Sequence, residues 1–403
     1  MEGIAPSCRR WLLPASASHL GAAGHICSAL FNVVVPDDPI DLVLVTGAGA
    51  SCDFGVNQTR LPLMAEWSRL ILRKLGGVPG FVEAVGLTDS MTGPQFEERL
   101  GEFLRSVIAF GGIKPLLGPL GQMLQANPPS TVGNLNNTWE AWHSQAEHQI
   151  SQVLGKIYES LYENFSAPNI DAVQVRNAYA SLLNQLGINE RSRWVYATTN
   201  YDVIADAALE SLGLRFHDGT DSPRFGNSAE RQFRVAGLLS VIDRDVPLLH
   251  LHGRVGWLVR PGSGPGSGPY AVDNLANWTD SFGVPLVMLP DPRKEPDGDG
   301  IIGQMWTEFR EALRRARRVL VLGHSLHDAP LVEALSESDG RGKVAVTLLG
   351  DPAVGELHAD AREVVDIIER HLPNAHRIGM HFGRDYGPRP STGMERWLAA
   401  TGS

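Results

Sequence analysis

Cysteine is almost missing from this chain. Only Cys8, Cys27 and Cys52 occur in 403 residues, and none forms a Cys-x-x-Cys pair. Three cysteines exclude a disulfide framework, and the composition fits a reducing, cytoplasmic setting. Long apolar runs are missing too. No segment reaches the ~18 consecutive apolar residues of a membrane span, so no membrane partner is expected. Nor is there a long Lys/Arg run, and the net charge is -10. Sequence-independent nucleic-acid binding depends on neutralising phosphates, so direct nucleic-acid binding is not expected. The densest basic group is Arg310, Arg314, Arg315, Arg317 and Arg318. It reads as a solvated helix face, with a local basic patch as the alternative.

What is present is an ordinary globular composition, 43% hydrophobic. Short apolar runs recur at 41–45, 194–197, 247–249, 284–288, 319–322, 344–349 and 376–380. Such runs, bounded by turn residues, fit strands buried on both faces. Helical spacing appears between many of them, at 203–212, 305–316 and 354–371. Alternating strands and helices imply an α/β fold with a parallel, Rossmann-like sheet and helices on both faces. Residues 61–190 differ: they have few β-branched runs and much helical patterning, at 63–75, 96–108, 150–165 and 173–186. They read as a large helical insertion. The chain then divides into an N-terminal extension (1–38), a Rossmann-like core (39–60 and 191–403) and the insertion (61–190). The extension faintly resembles a signal peptide at Arg9 to Leu13, but Pro14 and the polar residues after it cut the apolar stretch short.

Four segments follow or end strand-like runs and carry small or polar groups. They are Thr46-Gly47-Ala48-Gly49-Ala50-Ser51, Thr198-Thr199-Asn200-Tyr201-Asp202, His250-Leu251-His252-Gly253 and Gly323-His324-Ser325. A parallel sheet sets such strand ends along one edge, where ligands bind. Gly47 and Gly49 let a phosphate approach the backbone, and a helix starting near Ser51 would favour a pyrophosphate. A plain strand-to-helix turn is the alternative, since Cys52 stands where a full Gly-x-Gly-x-x-Gly has its last glycine. Asn200 or Asp202 also fits a helix N-cap. His250 and His252, two apart, point the same way if both lie in a strand. They could be core histidines, ligand contacts or a metal pair, although no acidic or Cys partner lies at metal-site spacing. Gly323-His324-Ser325 is either another turn or a ligand loop. It is not a nucleophile elbow, because His327 replaces the second glycine.

As an ordered set, these segments resemble the sirtuin-like NAD-binding superfamily. Its members carry a Gly-Ala-Gly-x-Ser loop, a Gln/Thr-Asn-x-Asp segment, a His before Gly and a Gly-x-Ser loop, in that order. The resemblance covers roughly residues 41–355. It departs from the protein deacylases in two ways. No cysteine lies beyond Cys52, so the four-cysteine zinc module is absent and no zinc is expected. The loop Gly55-Val56-Asn57-Gln58-Thr59-Arg60-Leu61-Pro62 also differs from the deacylase loop over the nicotinamide. Both features are typical of the bacterial zinc-less branch of antiviral-type NAD hydrolases.

The resemblance implies that NAD is the substrate, cleaved at the nicotinamide–ribose bond. It implies Asn200 to position the ribose hydroxyls and water, His252 as general base, and Asp202 to orient Asn200 or face the sugar cation. Gly47, Ala48, Gly49, Ser51, Thr199, Gly323, His324 and Ser325 would hold the cofactor, with Asp351 on the adenosine ribose. It further implies a homo-oligomer, or a partner ATPase or other sensor protein that holds the activity off. Two further readings stay open. One is an NAD-dependent deacylase or ADP-ribosyl transferase. The other is a non-catalytic sensor of NAD or ADP-ribose.

Overall fold

The computed structural model describes residues 38–402, apart from 78–80, 92–94, 97–98, 103–151, 167–168, 221–230, 260–269, 272–283, 288–299, 352–355, 383–391 and some single positions. The expected N-terminal extension lies outside the described residues except for Asp38, and so does most of the helix expected at 96–108.

Thirteen strands are described. Seven form an all-parallel sheet: β1 (Leu42–Thr46), β2 (Trp194–Thr198), β3 (Phe216–His217), β5 (Val246–His250), β9 (Val319–Leu322), β10 (Val344–Leu348) and β13 (His376–Gly379). Their order is β13-β10-β9-β1-β2-β5-β3, with β1 at the centre. Every residue of β1, β2, β5, β9 and β10 is buried. That is why these strands read as unbroken apolar runs rather than alternating ones.

Helices cover both faces. α3 (Ala172–Gln185) and α4 (Ile204–Ser211) pack on each other, and Tyr179 of α3 reaches the sheet through its hydroxyl, 2.7 Å from that of Tyr196. The other face holds α5 (Ile301–Arg315), α6 (Ala329–Ser338) and α7 (Ala359–His371). There Val43, Val45, Val195, Ala197 and Val321 share one core with Met305, Trp306, Phe309, Leu331 and Ile368. The architecture is therefore α/β and Rossmann-like. α8 (Thr392–Thr401) follows β13 and sends the Trp397 indole N–H to the Lys343 carbonyl.

Two expectations change. The run at 284–288 forms β8 (Val284–Val287), but not in the parallel sheet. It pairs antiparallel with β6 (Gly253–Val259) in a second sheet that also holds β4 (Arg231–Gln232) and β7 (Tyr270–Ala271). A short apolar run states burial, not the sheet it joins.

The chain divides into two compact units. One compact unit takes in Ala65–Ser160, with α1 (Met64–Leu75), α2 (Phe81–Val85) and buried Trp67, Ile71, Phe96 and Ile157. The described residues from Leu161 onward, α3 included, belong to the unit that holds the sheet, and Tyr179 of α3 is buried and bonded to Tyr196 of β2.

The second change is that the arginine group is not one solvated face. Arg315 is buried and donates to the Asp38 carbonyl, and Arg318 donates to the carbonyls of Asp41 and Leu186. Arg314 pairs with Glu311 at the surface, and Arg310 lies over the Trp306 ring.

Two-residue strands β11 (Gly350–Asp351) and β12 (Glu356–Leu357) pair antiparallel after β10. Among the described residues, no helix is long and apolar enough to cross a membrane.

Candidate active site

Strand register aligns the four segments. Leu322 pairs with Thr46, Thr46 with Thr198, and Thr198 with His250. These four residues form one row across the sheet, and the segments run on from it. β1 and β9 are neighbours that leave in opposite directions through the sheet order. Their ends mark the topological switch point, the usual ligand crevice of open α/β sheets.

At that point the two glycine loops interlock. The Gly47 N–H donates to the Leu322 carbonyl (3.0 Å) and the Gly49 N–H to the Gly323 carbonyl (2.8 Å). A Cβ on Gly49 would sit 2.9 Å from the Gly323 oxygen, and one on Gly47 would sit 2.7 Å from the His324 ring. Gly323 has φ +61°, and its Cβ would lie 2.2 Å from the Ala50 nitrogen. The glycines are thus required by backbone contact within the chain. The N–H groups of Ala50 and Ser51 also bond internally, to the Gly47 and Ala48 carbonyls. No α-helix starts at Ser51. The chain winds instead through 3-10 turns at Ala48–Ala50, Cys52–Phe54 and Val56–Gln58. Ala48 is exposed, as is Ser325, while Thr199 and His324 are half-buried. Thr199 donates its N–H and hydroxyl to the Thr46 carbonyl, and His324 Nδ1 accepts the Leu326 N–H.

Ser51, Asn200 and Asp202 come together as a buried network. Asn200 Nδ2 donates to the Gly47 carbonyl at 3.1 Å and to Ser51 Oγ at 2.7 Å. The Ser51 hydroxyl in turn bonds the Asp202 carboxylate. Both donor hydrogens of the amide are thereby engaged, and Asn200 has its carbonyl oxygen to offer as an acceptor. Asp202 also accepts the Ile204 N–H at 2.9 Å, so it serves the start of α4 while orienting the amide. Burial pushes the Asp202 carboxyl up to about 6, against the lowering effect of the Ile204 and Ser51 bonds, and nearby Asp206 raises it further.

The two histidines diverge. β5 ends at His250, and the chain turns through Leu251 and His252 into Gly253, whose φ is +73°. Strand alternation therefore does not extend to His252, and Gly253 answers a left-handed turn. His250 Nε2 lies 3.2 Å from Asp206, whose other oxygen binds the Arg254 guanidinium. All three side chains are buried, a structural charge cluster behind the strand end. His252 Nε2 lies 2.6 Å from Asp328 Oδ2, and the centroid of its ring is 6.4 Å from that of Tyr201 and 6.3 Å from that of Trp306. The Trp306 indole donates to the Leu251 carbonyl and so fixes this turn against α5.

Sequence reasoning misses Asp328 and Asp206. In His327-Asp328-Ala329-Pro330, an Asp before Pro reads as the N-cap of α6, a role that hides any other. Asp206 lies one helical turn after Asp202, and nothing local marks its pairing with residues 250 and 254. The side chain of Asp351 lies outside the described residues. Among the described residues, no group of three or more His, Cys, Asp or Glu is arranged to hold a metal ion. No protein-family model matches the chain, and no curated protein matches it.

Proposed function

We propose that the protein is an NAD glycohydrolase that releases nicotinamide and ADP-ribose. One observation carries this reading. An amide and an imidazole leave the ends of neighbouring, register-paired strands, each held by a separate buried partner: Asn200 by Ser51, and His252 by Asp328.

The chemistry suits these groups. The C1′–N bond breaks with its electron pair going to the pyridinium nitrogen, so nicotinamide leaves neutral and needs no general acid. Positive charge develops on the ribose. Water adds its oxygen to C1′ and loses a proton. The Asn200 carbonyl can accept a hydrogen bond from a ribose hydroxyl or from that water. His252 takes the proton, directly or through a ribose hydroxyl. Asp202, when ionised, offers negative field to the sugar. The in-chain bonds of the N–H groups at Gly47, Gly49, Ala50 and Ser51 mean that a pyrophosphate would draw on other donors, or on an opened form of the interlocked loops.

On this reading the role is antiphage defence by NAD depletion, with the activity held off by self-assembly or by a partner ATPase or other sensor protein. The test is nicotinamide release by the purified protein incubated with NAD. His252→Ala and Asn200→Ala should each lower turnover by roughly 10²–10⁴-fold while the protein stays folded. Full turnover in either variant would remove that residue from the mechanism. Deacylation of an acetylated peptide, or NAD binding without cleavage, would favour the other two readings.

A further inference from the structure

We infer that Asp328 is a positioning residue that sets the tautomer and orientation of the His252 imidazole. The inference rests on the proposed role of His252 as base. It is carried by the 2.6 Å contact between Asp328 Oδ2 and His252 Nε2, both side chains being almost fully buried.

Asp328 stands at the N-cap of α6 with extended backbone angles (φ -81°, ψ 99°), yet its side chain makes no capping bond to the helix. An N-cap carboxylate ordinarily accepts a backbone N–H there, an interaction worth about 1 kcal/mol. This one is turned across to the end of β5 instead. A carboxylate can only accept, so the imidazole nitrogen facing it carries the proton, and Nδ1 is then the acceptor nitrogen of the neutral ring. The loop that delivers Asp328 includes Leu326 at φ +58°, a left-handed conformation that a branched side chain rarely adopts. Asp328 also ties the fourth segment to the third: it lies on the β9–α6 connection, while His252 follows β5.

The pairing is tested in two arms with Asp328→Asn, which keeps the size of the side chain. In the first, histidine ring ¹⁵N shifts are recorded, with His252 assigned by its loss in His252→Gln. Recorded at a pH where the ring is neutral, the wild type should carry its proton at Nε2, and Asp328→Asn should move it toward Nδ1. A wild-type ring protonated at Nδ1, or the same tautomer in both proteins, would overturn the inference. In the second arm, nicotinamide release should fall by roughly 10²–10⁴-fold in kcat, with KM within a few fold and the melting temperature little changed. Unchanged kcat would overturn it as well. If the wild type releases no nicotinamide, the NAD reading fails by itself, and the spectroscopic arm still decides whether Asp328 sets the ring. If Asp328→Asn does not fold, Asp328→Glu serves in both arms, with the Nε2 tautomer expected to persist.

Discussion

Asn200 and Ser51 stand 149 positions apart in the chain and 2.7 Å apart in space. The serine hydroxyl accepts from the amide and bonds the Asp202 carboxylate, so one small side chain sets both neighbours. Ser51→Ala should cost about 1–3 kcal/mol, because it leaves a buried amide hydrogen without its acceptor. Urea unfolding measures that loss. On the proposed function, nicotinamide release should fall with it, and a variant with wild-type stability and turnover would show the network to be idle.

Asp202 predicts a pH dependence of stability. Its carboxyl is raised from 3.8 to about 6 in the folded state, first by burial. The folded protein therefore holds this proton more tightly than the unfolded chain does. The resulting stabilisation is fully present below pH 3.8 and is lost as pH rises through about 6. Asp202→Asn removes that dependence while keeping an acceptor for the Ile204 N–H. Between pH 7 and pH 4 the wild type should gain on the variant by about 2.4 kcal/mol in unfolding free energy. No relative gain would mean that the carboxylate is solvated.

Gly323→Ala meets backbone at 2.2 Å with φ +61°, whereas Gly187→Ala has φ +69° and no atom within 4 Å of the added carbon. The second change should cost about 1–2 kcal/mol of backbone strain alone. The first should cost clearly more, because the loops after β1 and β9 must part. Thermal unfolding of the two variants measures the interlock by difference, and equal shifts would deny it.

Asp206→Asn removes the charge that faces both Arg254 and His250 inside the protein. Breaking this buried ion pair should lower stability by about 3–5 kcal/mol. A loss below about 1 kcal/mol in chemical denaturation would show that water reaches the cluster.

Much of the fold was legible in the sequence because burial on both sheet faces writes continuous apolar runs, as at Leu42–Val45 and Val319–Leu322. Helical spacing marked α3, α4 and α5 to within a few residues, since their buried stripes repeat with the helical period. The same logic failed at Val284–Val287, where a strand's partner depends on long-range pairing that no local pattern encodes. It failed again for Arg315 and Arg318, whose carbonyl partners lie far away in the chain.

By itself, the order of residues determined that four polar turns end buried strands, and hence that they share one sheet edge. Only tertiary structure decided what each turn does there. It pressed Gly47 and Gly49 against Gly323, sent His250 to Asp206, and gave His252 the carboxylate of Asp328. Periodicity is a property of neighbours in sequence. Which carboxylate meets which imidazole is set by strand order and by the handedness of single turns, and both arise only once the chain is packed.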